Sequence, residues 1–348
     1  MSVEIGSKKP LMWEVMDKAS ALSMPLQVAL ELTYRCNLRC AHCYIDLIDK
    51  EELSLIEWKD VLHQLKSAGT IYLLFTGGEV TIRDDFMDIM NYARAKGFFV
   101  GLLTNSTRIT PTIARAIANL RPFALGTSLY GATAASHETV TQIHGSFNKT
   151  LEGVKLLSNA GLVPTVQVLT MKSNLSELPK IEELVKSLGA RPKIGGGMAP
   201  TKSGSEVPFS YEPRMEELMT CGHAAETENV ESSGPGVCKA GRSICSISPR
   251  GDVFPCIMFS LKLGNLRLST FDSIWSLEPC AELQLLRSMK QSDLQACGAC
   301  EVKAYCKRCT GSAYAESRSM NGASPSACRQ ARMRARLTDI QKTGQPSI

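Results

Sequence analysis

Cys36, Cys40 and Cys43 share one short stretch, Cys36-Asn37-Leu38-Arg39-Cys40-Ala41-His42-Cys43. Three thiols this close point to a bound metal rather than to core packing. Zinc is the common use of close cysteine pairs, and chance spacing is the plainer alternative. On a four-iron cube, three thiolates leave one iron without a protein ligand. A small molecule can then coordinate it. Catalytic metal sites keep such a position open, whereas structural sites close it.

Two further groups of residues can do chemistry. In Thr76-Gly77-Gly78-Glu79, a glycine pair lets backbone approach a ligand closely and opens N–H donors to it. Glu79 then accepts from a positively charged amino group. A tight turn with a solvated glutamate explains the same letters. The second group is Cys238, Cys245 and Cys256, with Gly251 five residues before Cys256, then Cys297-x2-Cys300-x5-Cys306-x2-Cys309 and Cys328. Eight thiolates make two closed sets of four, each suited to a [4Fe–4S] cluster, and two zinc sites are the alternative. Cys221 and Cys280 are left over. Both read as small buried hydrophobes, and Cys221 is the better candidate for a reactive thiol. Of the histidines, only His42, inside the first cysteine loop, reads as a group that tunes a metal through its ligands.

These residues need a scaffold. The run 26–33 is strand-like and leads directly into the first cysteine loop. Further strands are expected over 71–76, 98–104, 123–129, 163–170 and 192–196. Helices are expected between them over 54–68, 84–95, 111–119, 148–159 and 176–188. Ser54 with Glu57, Pro111, and the glycines 69, 97, 161 and 189 mark helix starts and stops. Strand alternating with helix predicts a parallel α/β sheet. Chemistry then belongs at the C-terminal ends of the strands. Thr104-Asn105-Ser106 and Ser128 stand at such ends, though a helix cap or turn explains them equally well. Residues 198–236 are rich in Gly, Ser, Pro and Glu and read as a bridge with a short helix near 211–219.

The first cysteine loop with Tyr44 after it resembles the signature of the radical S-adenosylmethionine (SAM) superfamily. The C-terminal cysteines resemble the SPASM domain, with one residue missing before Cys309. The resemblance implies a partial (β/α)6 TIM-like barrel followed by a small cysteine-rich iron–sulfur domain. The units are then an N-terminal extension over 1–25, a radical SAM core over 26–197, a bridge over 198–236, a SPASM domain over 237–330 and a basic tail over 331–348. By resemblance, Gly77, Gly78 and Glu79 hold the methionine ammonium of SAM, and Thr104, Asn105 and Ser128 reach its ribose and carboxylate. The arginine that the family often carries near Thr141 is missing, and Val80 stands where proline is usual. Gly195-Gly196-Gly197 offers backbone to adenine, or is a flexible exit loop. The resemblance also implies three [4Fe–4S] clusters, on Cys36, Cys40 and Cys43; on Cys238, Cys245, Cys256 and Cys309; and on Cys297, Cys300, Cys306 and Cys328.

At 348 residues with 44% apolar content, the chain is long enough for two domains and a large core. The net charge of +5 is mild and does not imply nucleic acid. No apolar stretch is long enough to span a bilayer, and the N-terminus lacks a secretory signal. Thirteen cysteines without an export signal fit a reducing cytosol and metal ligation.

SPASM-bearing relatives imply a 5′-deoxyadenosyl radical acting on a peptide or protein, with flavodoxin or ferredoxin as electron donor. Crosslinks, thioethers, epimerised and oxidised residues are the expected products. The short extension before the first strand implies that a leader peptide is held by a separate protein or another groove. Sulfatase-maturing relatives carry an acid after the cysteine matching Cys256, where this chain has Ile257. Quinone-cofactor and haem biosynthesis are further alternatives, and eight C-terminal cysteines weigh against haem. A non-catalytic iron–sulfur electron carrier is the alternative of a different class.

Overall fold

In the computed structural model, which describes residues 11–46, 51–214, 217–218 and 238–343, the chain is organised around β1 (Gln27–Thr33). Val28, Leu30 and Leu32 are fully buried against helices, each contributing about 1.5–3 kcal/mol. Side chains alternate along a strand, so Glu31 and Thr33 face the opposite side, the barrel lumen. Parallel strands follow: β2 (Tyr72–Gly77), β3 (Phe99–Leu103), β4 (Ala124–Ser128), β5 (Thr165–Val168) and β6 (Arg191–Ile194). All six lie within three residues of the expected strand bounds.

The helices between them have physical starts and stops. α2 (Leu55–Ser67) carries a complete capping box on Ser54 and Glu57, and buries Trp58, Val61, Leu62 and Leu65 on one face. α3 is Phe86–Ala95. α4 (Pro111–Leu120) starts with proline behind the capping hydroxyl of Thr110. α6 (Ser146–Asn159) and α7 (Leu178–Ser187) complete the expected set. Two helices are additions to the sequence reading. α1 (Leu11–Ala21) packs Met16 and Ala19 on Leu26, so this part of the N-terminal extension is helical and docked. α5 (Ala134–Thr141), begun by a Thr133–Ser136 capping box, lies between β4 and α6. Its few apolar positions gave no helical stripe to read.

The C-terminal unit does not stand apart from the barrel. β7 (Ile244–Ile247) pairs in parallel with β1, and β8 (Asp252–Phe254) and β9 (Gly264–Asn265) extend the same sheet in the order β6-β5-β4-β3-β2-β1-β7-β8-β9. Ile247, Val253, Phe271, Trp275 and Leu283 share the barrel's apolar core. Trp275 Nε1 donates to the carbonyl of Ser23 at 2.7 Å. α8 (Ala281–Ser288) and α9 (Thr310–Ser317) follow. The basic segment expected from 331, read from the sequence as a helix fraying into a tail, is helical to 343 and starts earlier, as part of α10 (Pro325–Thr343), the helix that carries Cys328. The helix expected over 211–219 lies in part outside the described residues. Cys221, His223 and the Ser-Gly-Pro run at 232–236 lie wholly outside them. No helix among the described residues is long and apolar enough to cross a membrane.

Candidate active site and cluster-binding thiols

The first cysteine loop leaves β1 at its C-terminal end and is held on four sides. Below it, buried Arg83 donates to the carbonyls of Leu32 and Leu53 and pairs with Glu52 and Asp85. Thr33 Oγ1 and Arg35 bond Glu52 as well. Beside it, Arg39 N and Ala41 N donate to the carbonyls of Thr141 and Val140 at the end of α5, each at 3.0 Å. These are helix-end acceptors that would otherwise lack partners. Behind it, the His42 ring meets Tyr130 edge-on at 4.8 Å between centroids, and Tyr130 packs in turn on His137.

The fourth side is the β2 turn, and here the glycines do something the sequence reading did not assign. Gly78 N donates to Thr33 O at 2.7 Å, and Glu79 N to Arg35 O at 2.9 Å. A Cβ at Gly77 would stand 2.2 Å from Thr33 O, and one at Gly78 would stand 2.2 Å from Arg35 O. The pair therefore lets two backbone segments touch, and the Gly78 and Glu79 amides are spent on the cysteine loop rather than open to a ligand.

Glu79 is fully buried. Its Oε1 accepts from Thr81 N (3.1 Å), Thr81 Oγ1 (2.7 Å) and Thr104 Oγ1 (2.7 Å). Its Oε2 accepts from Asn105 N at 2.6 Å and keeps a lone pair for a further donor. Thr104, expected near ribose, spends its hydroxyl on Glu79. Asn105 Nδ2 reaches Asn37 Oδ1 at 2.9 Å and lies 3.9 Å from Cys36 Sγ. Ser128, at the end of β4, and the Cys40 thiol both lie within electrostatic reach of the buried Tyr130 hydroxyl. The structure thus gathers Glu79, Asn105 and Ser128 around the cysteine loop. Gly195 faces open space, whereas Gly197 is covered by Gln330 of α10. The position near Thr141 where an arginine was missing is buried, and the Thr141 hydroxyl meets Ser146 at 2.7 Å.

The donor set fits a cluster. Cys40 is pushed up to about 12, first by burial and then by Cys43 and Cys36. Cys36 is raised by burial, with Glu79 and Cys43 adding to it, and Cys43 is raised by burial. Thiols that oppose each other's ionisation in this way become thiolates against the positive charge of iron. Cys36 Sγ also accepts from Leu38 N at 3.4 Å.

The same amide-to-sulfur pattern recurs at Cys238 from Ala240 N, Cys256 from Met258 N and Cys309 from Ser312 N, at 3.4–3.5 Å. Burial raises Cys238, and Cys309 adds to it; burial raises Cys256 to about 12, with Cys238 and Cys309 adding. Cys309 thus joins this group despite lying next to Cys306 in sequence. Cys245 is fully buried on β7 within the apolar core, and is within electrostatic reach of Cys256 and Arg287. Cys306 and Cys328 are raised by burial and by Cys297 and Cys300, so these four thiols form another group. Cys280 packs against the apolar core. Among the described residues, no group of three or more His, Cys, Asp or Glu closes tightly enough to hold a single metal ion.

One constellation escaped the sequence reading. Glu31, fully buried, pairs with Lys202 at 2.5 Å and accepts from the Tyr34 hydroxyl at 3.1 Å. A lone charge inside the apolar run 26–33 is the signal that marks it.

This fold and this thiol loop define an S-adenosylmethionine-dependent iron–sulfur enzyme: residues 30–185 match the radical SAM superfamily, residues 238–301 match the iron–sulfur cluster-binding SPASM domain, and the chain belongs to that superfamily. Among curated relatives, the AdoMet-dependent heme synthase of Methanosarcina barkeri is 30% identical, over 84% of this chain and 93% of its own. The mycofactocin maturase MftC of Mycolicibacterium smegmatis is 30% identical, over 84% of this chain and 79% of its own. Among solved structures, Streptococcus suis SuiB bound to its precursor peptide SuiA has a TM-score of 0.69 at 14% identity, covering 94% of this chain and 84% of that one. That similarity bears on the fold.

Proposed function

We propose that this enzyme modifies a peptide or protein by radical chemistry, forming a crosslink or thioether, or epimerising or oxidising a residue. When bound, the first cluster and SAM would supply one-electron chemistry able to take a hydrogen atom from an unactivated carbon. The observation that carries this reading is the open three-thiol loop at the end of β1, with Glu79 Oε2 and Asn105 beside it. Cys36, Cys40 and Cys43 hold the cluster, and the lone pair on Glu79 Oε2 takes the methionine ammonium. Asn105 and Ser128 complete the cofactor side.

Two auxiliary clusters are proposed, on Cys238, Cys245, Cys256 and Cys309, and on Cys297, Cys300, Cys306 and Cys328. A flavodoxin or ferredoxin supplies the electron. The maturase MftC and the peptide complex of SuiB support a peptide substrate. Ile257 supplies no acid, which argues against sulfatase-type maturation.

A second reading, modification of a haem precursor, has the support of the Methanosarcina barkeri relative and its near-complete coverage. The deciding experiment incubates anaerobically reconstituted enzyme, SAM and reductant with a peptide encoded beside the gene, and separately with a carboxylated porphyrin. A mass or stereochemical change in the peptide supports the first reading. A change in the porphyrin alone supports the second, and deoxyadenosine absent from all mixtures sinks both.

A further inference from the structure

Asn37, in the first cysteine loop, and Asn105 and Thr107, in the loop after β3, close a hydrogen-bonded ring. One backbone amide fixes the direction of every bond in it. Thr107 N, 3.0 Å from Asn105 Oδ1, can only donate, so the atom facing it is the oxygen. Asn105 Nδ2 then faces the cysteine loop and donates to Asn37 Oδ1 at 2.9 Å. Asn37 Nδ2 donates to Thr107 Oγ1 at 2.7 Å, and the Thr107 hydroxyl donates to Asn105 Oδ1 at 2.7 Å. All three side chains donate in the same sense around the ring, so the bonds polarise one another. A side-chain amide carries two N–H groups. The ring takes one from Asn105 and leaves the other toward Cys36 Sγ, 3.9 Å away. Leu38 N donates to the same sulfur at 3.4 Å.

The turn that aims Asn105 is strained. Ser106 has a φ of +63°, in the left-handed region that serine seldom adopts. It is fully buried, and its Oγ donates to Thr127 Oγ1 at 2.9 Å. α6 presses on the turn from behind. A Cβ on Gly153 would stand 2.0 Å from Ser106 O, and Thr150 Oγ1 donates to Asn105 O at 3.3 Å. Backbone held in a sparsely populated conformation by its surroundings clusters at functional sites. Here it curls Thr107 N back onto Asn105 Oδ1, and so decides which way the side-chain amide faces. A plain staple between the two loops needs no second N–H turned to a sulfur. The cysteine loop is already tied down by Gly78 N and Glu79 N.

Resting on the assignment of the first cluster to Cys36, Cys40 and Cys43, we propose that this ring raises the reduction potential of that cluster. Asn105 supplies an N–H to Cys36 Sγ, and Asn37 and Thr107 are positioning residues that hold it there. Hydrogen bonds to a ligating sulfur favour the more negative, reduced state. The backbone N–H of Asn105 meanwhile donates to Glu79 Oε2 at 2.6 Å. One residue therefore touches both a ligand of the cluster and the acceptor proposed for the methionine ammonium.

The test is a redox titration of reconstituted holoenzyme without SAM, followed by electron paramagnetic resonance. The signal of the first cluster is assigned by its response when SAM is then added. Asn105→Leu, similar in size but without the donor, should lower the reduced-to-oxidised ratio at the wild-type midpoint about tenfold. That is a shift of about 59 mV to lower potential for one electron. Thr107→Val removes a hydroxyl that touches no thiol, and should shift the potential the same way by less. An unchanged or higher potential in Asn105→Leu with full iron overturns the proposal. Where Asn105→Leu takes up too little iron, an unchanged or higher potential in Thr107→Val overturns it. A lower melting temperature with an unchanged potential would make the ring a staple and nothing more. A wild-type signal that ignores SAM would instead fail the cluster assignment, and the proposal with it.

Discussion

Ala41 N donates to the carbonyl of Val140 across 3.0 Å, which ties the first cysteine loop to the end of α5. With the bond from Arg39 N to Thr141 O, it makes the helix terminus a fixed edge along which the loop is laid. α5 is anchored in turn by His137, whose Nδ1 accepts from Tyr130 N at 3.3 Å while its Nε2 is buried without a partner. The loop's shape thus depends on a neutral histidine several residues away from any thiol.

That histidine gives the apoprotein an acid limb. Burial lowers the His137 pKa to about 4, against a usual value of 6.5. As pH falls below the usual value, the unfolded chain takes up the proton first, so the folded state loses stability until its own pKa is reached. Above the usual value the group contributes nothing. The full loss is about 3 kcal/mol. Urea unfolding of the apoprotein at several pH values should show His137→Gln flattening this limb. An unchanged slope would rule His137 out as its source.

Gly78→Ala should be costly without touching any thiol. The new Cβ would meet Arg35 O at 2.2 Å, backbone against backbone. We expect a loss of about 1–3 kcal/mol, the usual range for overpacking. A lower iron content after reconstitution should accompany it, because the loop is pushed off the β2 turn. Normal iron and an unchanged melting temperature would mean that the turn yields freely.

Glu79→Ala strands the buried donors of Thr81, Thr104 and Asn105. Each unsatisfied group costs about 1–3 kcal/mol, less than additively. The variant should therefore unfold at lower denaturant and bind SAM more weakly, which equilibrium unfolding and calorimetry measure separately. Weaker SAM binding with unchanged stability would show that the donors find other partners.

On the proposed assignment of three clusters, serine in place of Cys297, Cys300, Cys306 and Cys328 together should lower iron and sulfide by about four atoms each, from about twelve. An electron paramagnetic resonance signal that shifts on adding SAM, expected from the first cluster, should persist. Loss of all iron would instead make this group necessary for folding the whole protein.

Ending the chain at residue 237 should not release a stable barrel. β1 would lose its neighbour β7, and Val28 and Leu30 would lose core partners such as Ile247 and Trp275. An open, apolar strand edge promotes association. Gel filtration and circular dichroism of the fragment should show aggregation or loss of structure. A folded monomer would show that the two parts are energetically separate.

The barrel elements were legible because they are written locally. Periodicity, the Ser54–Glu57 box, Pro111 and the helix-stop glycines each act within a few residues, and all six strands followed from them. Cysteine spacing likewise marked the candidate thiols, since ligands to one cluster tend to recur at short intervals, whereas the division of the eight C-terminal thiols into two sets of four came from the family resemblance. α5 was missed because its residues carry little apolar signal and are held by packing. The joining of β7 to β1 could not be read either, since strand pairing across more than two hundred residues is set by which apolar faces meet. The same holds for Gly78, whose letter signals only freedom until Arg35 is seen against it. It holds equally for Glu31, whose charge is explained only when Lys202 arrives from the far end of the barrel. Local chemistry chose the candidate ligands and the elements; long-range packing decided which backbone holds the cysteine loop and which charges meet inside the barrel.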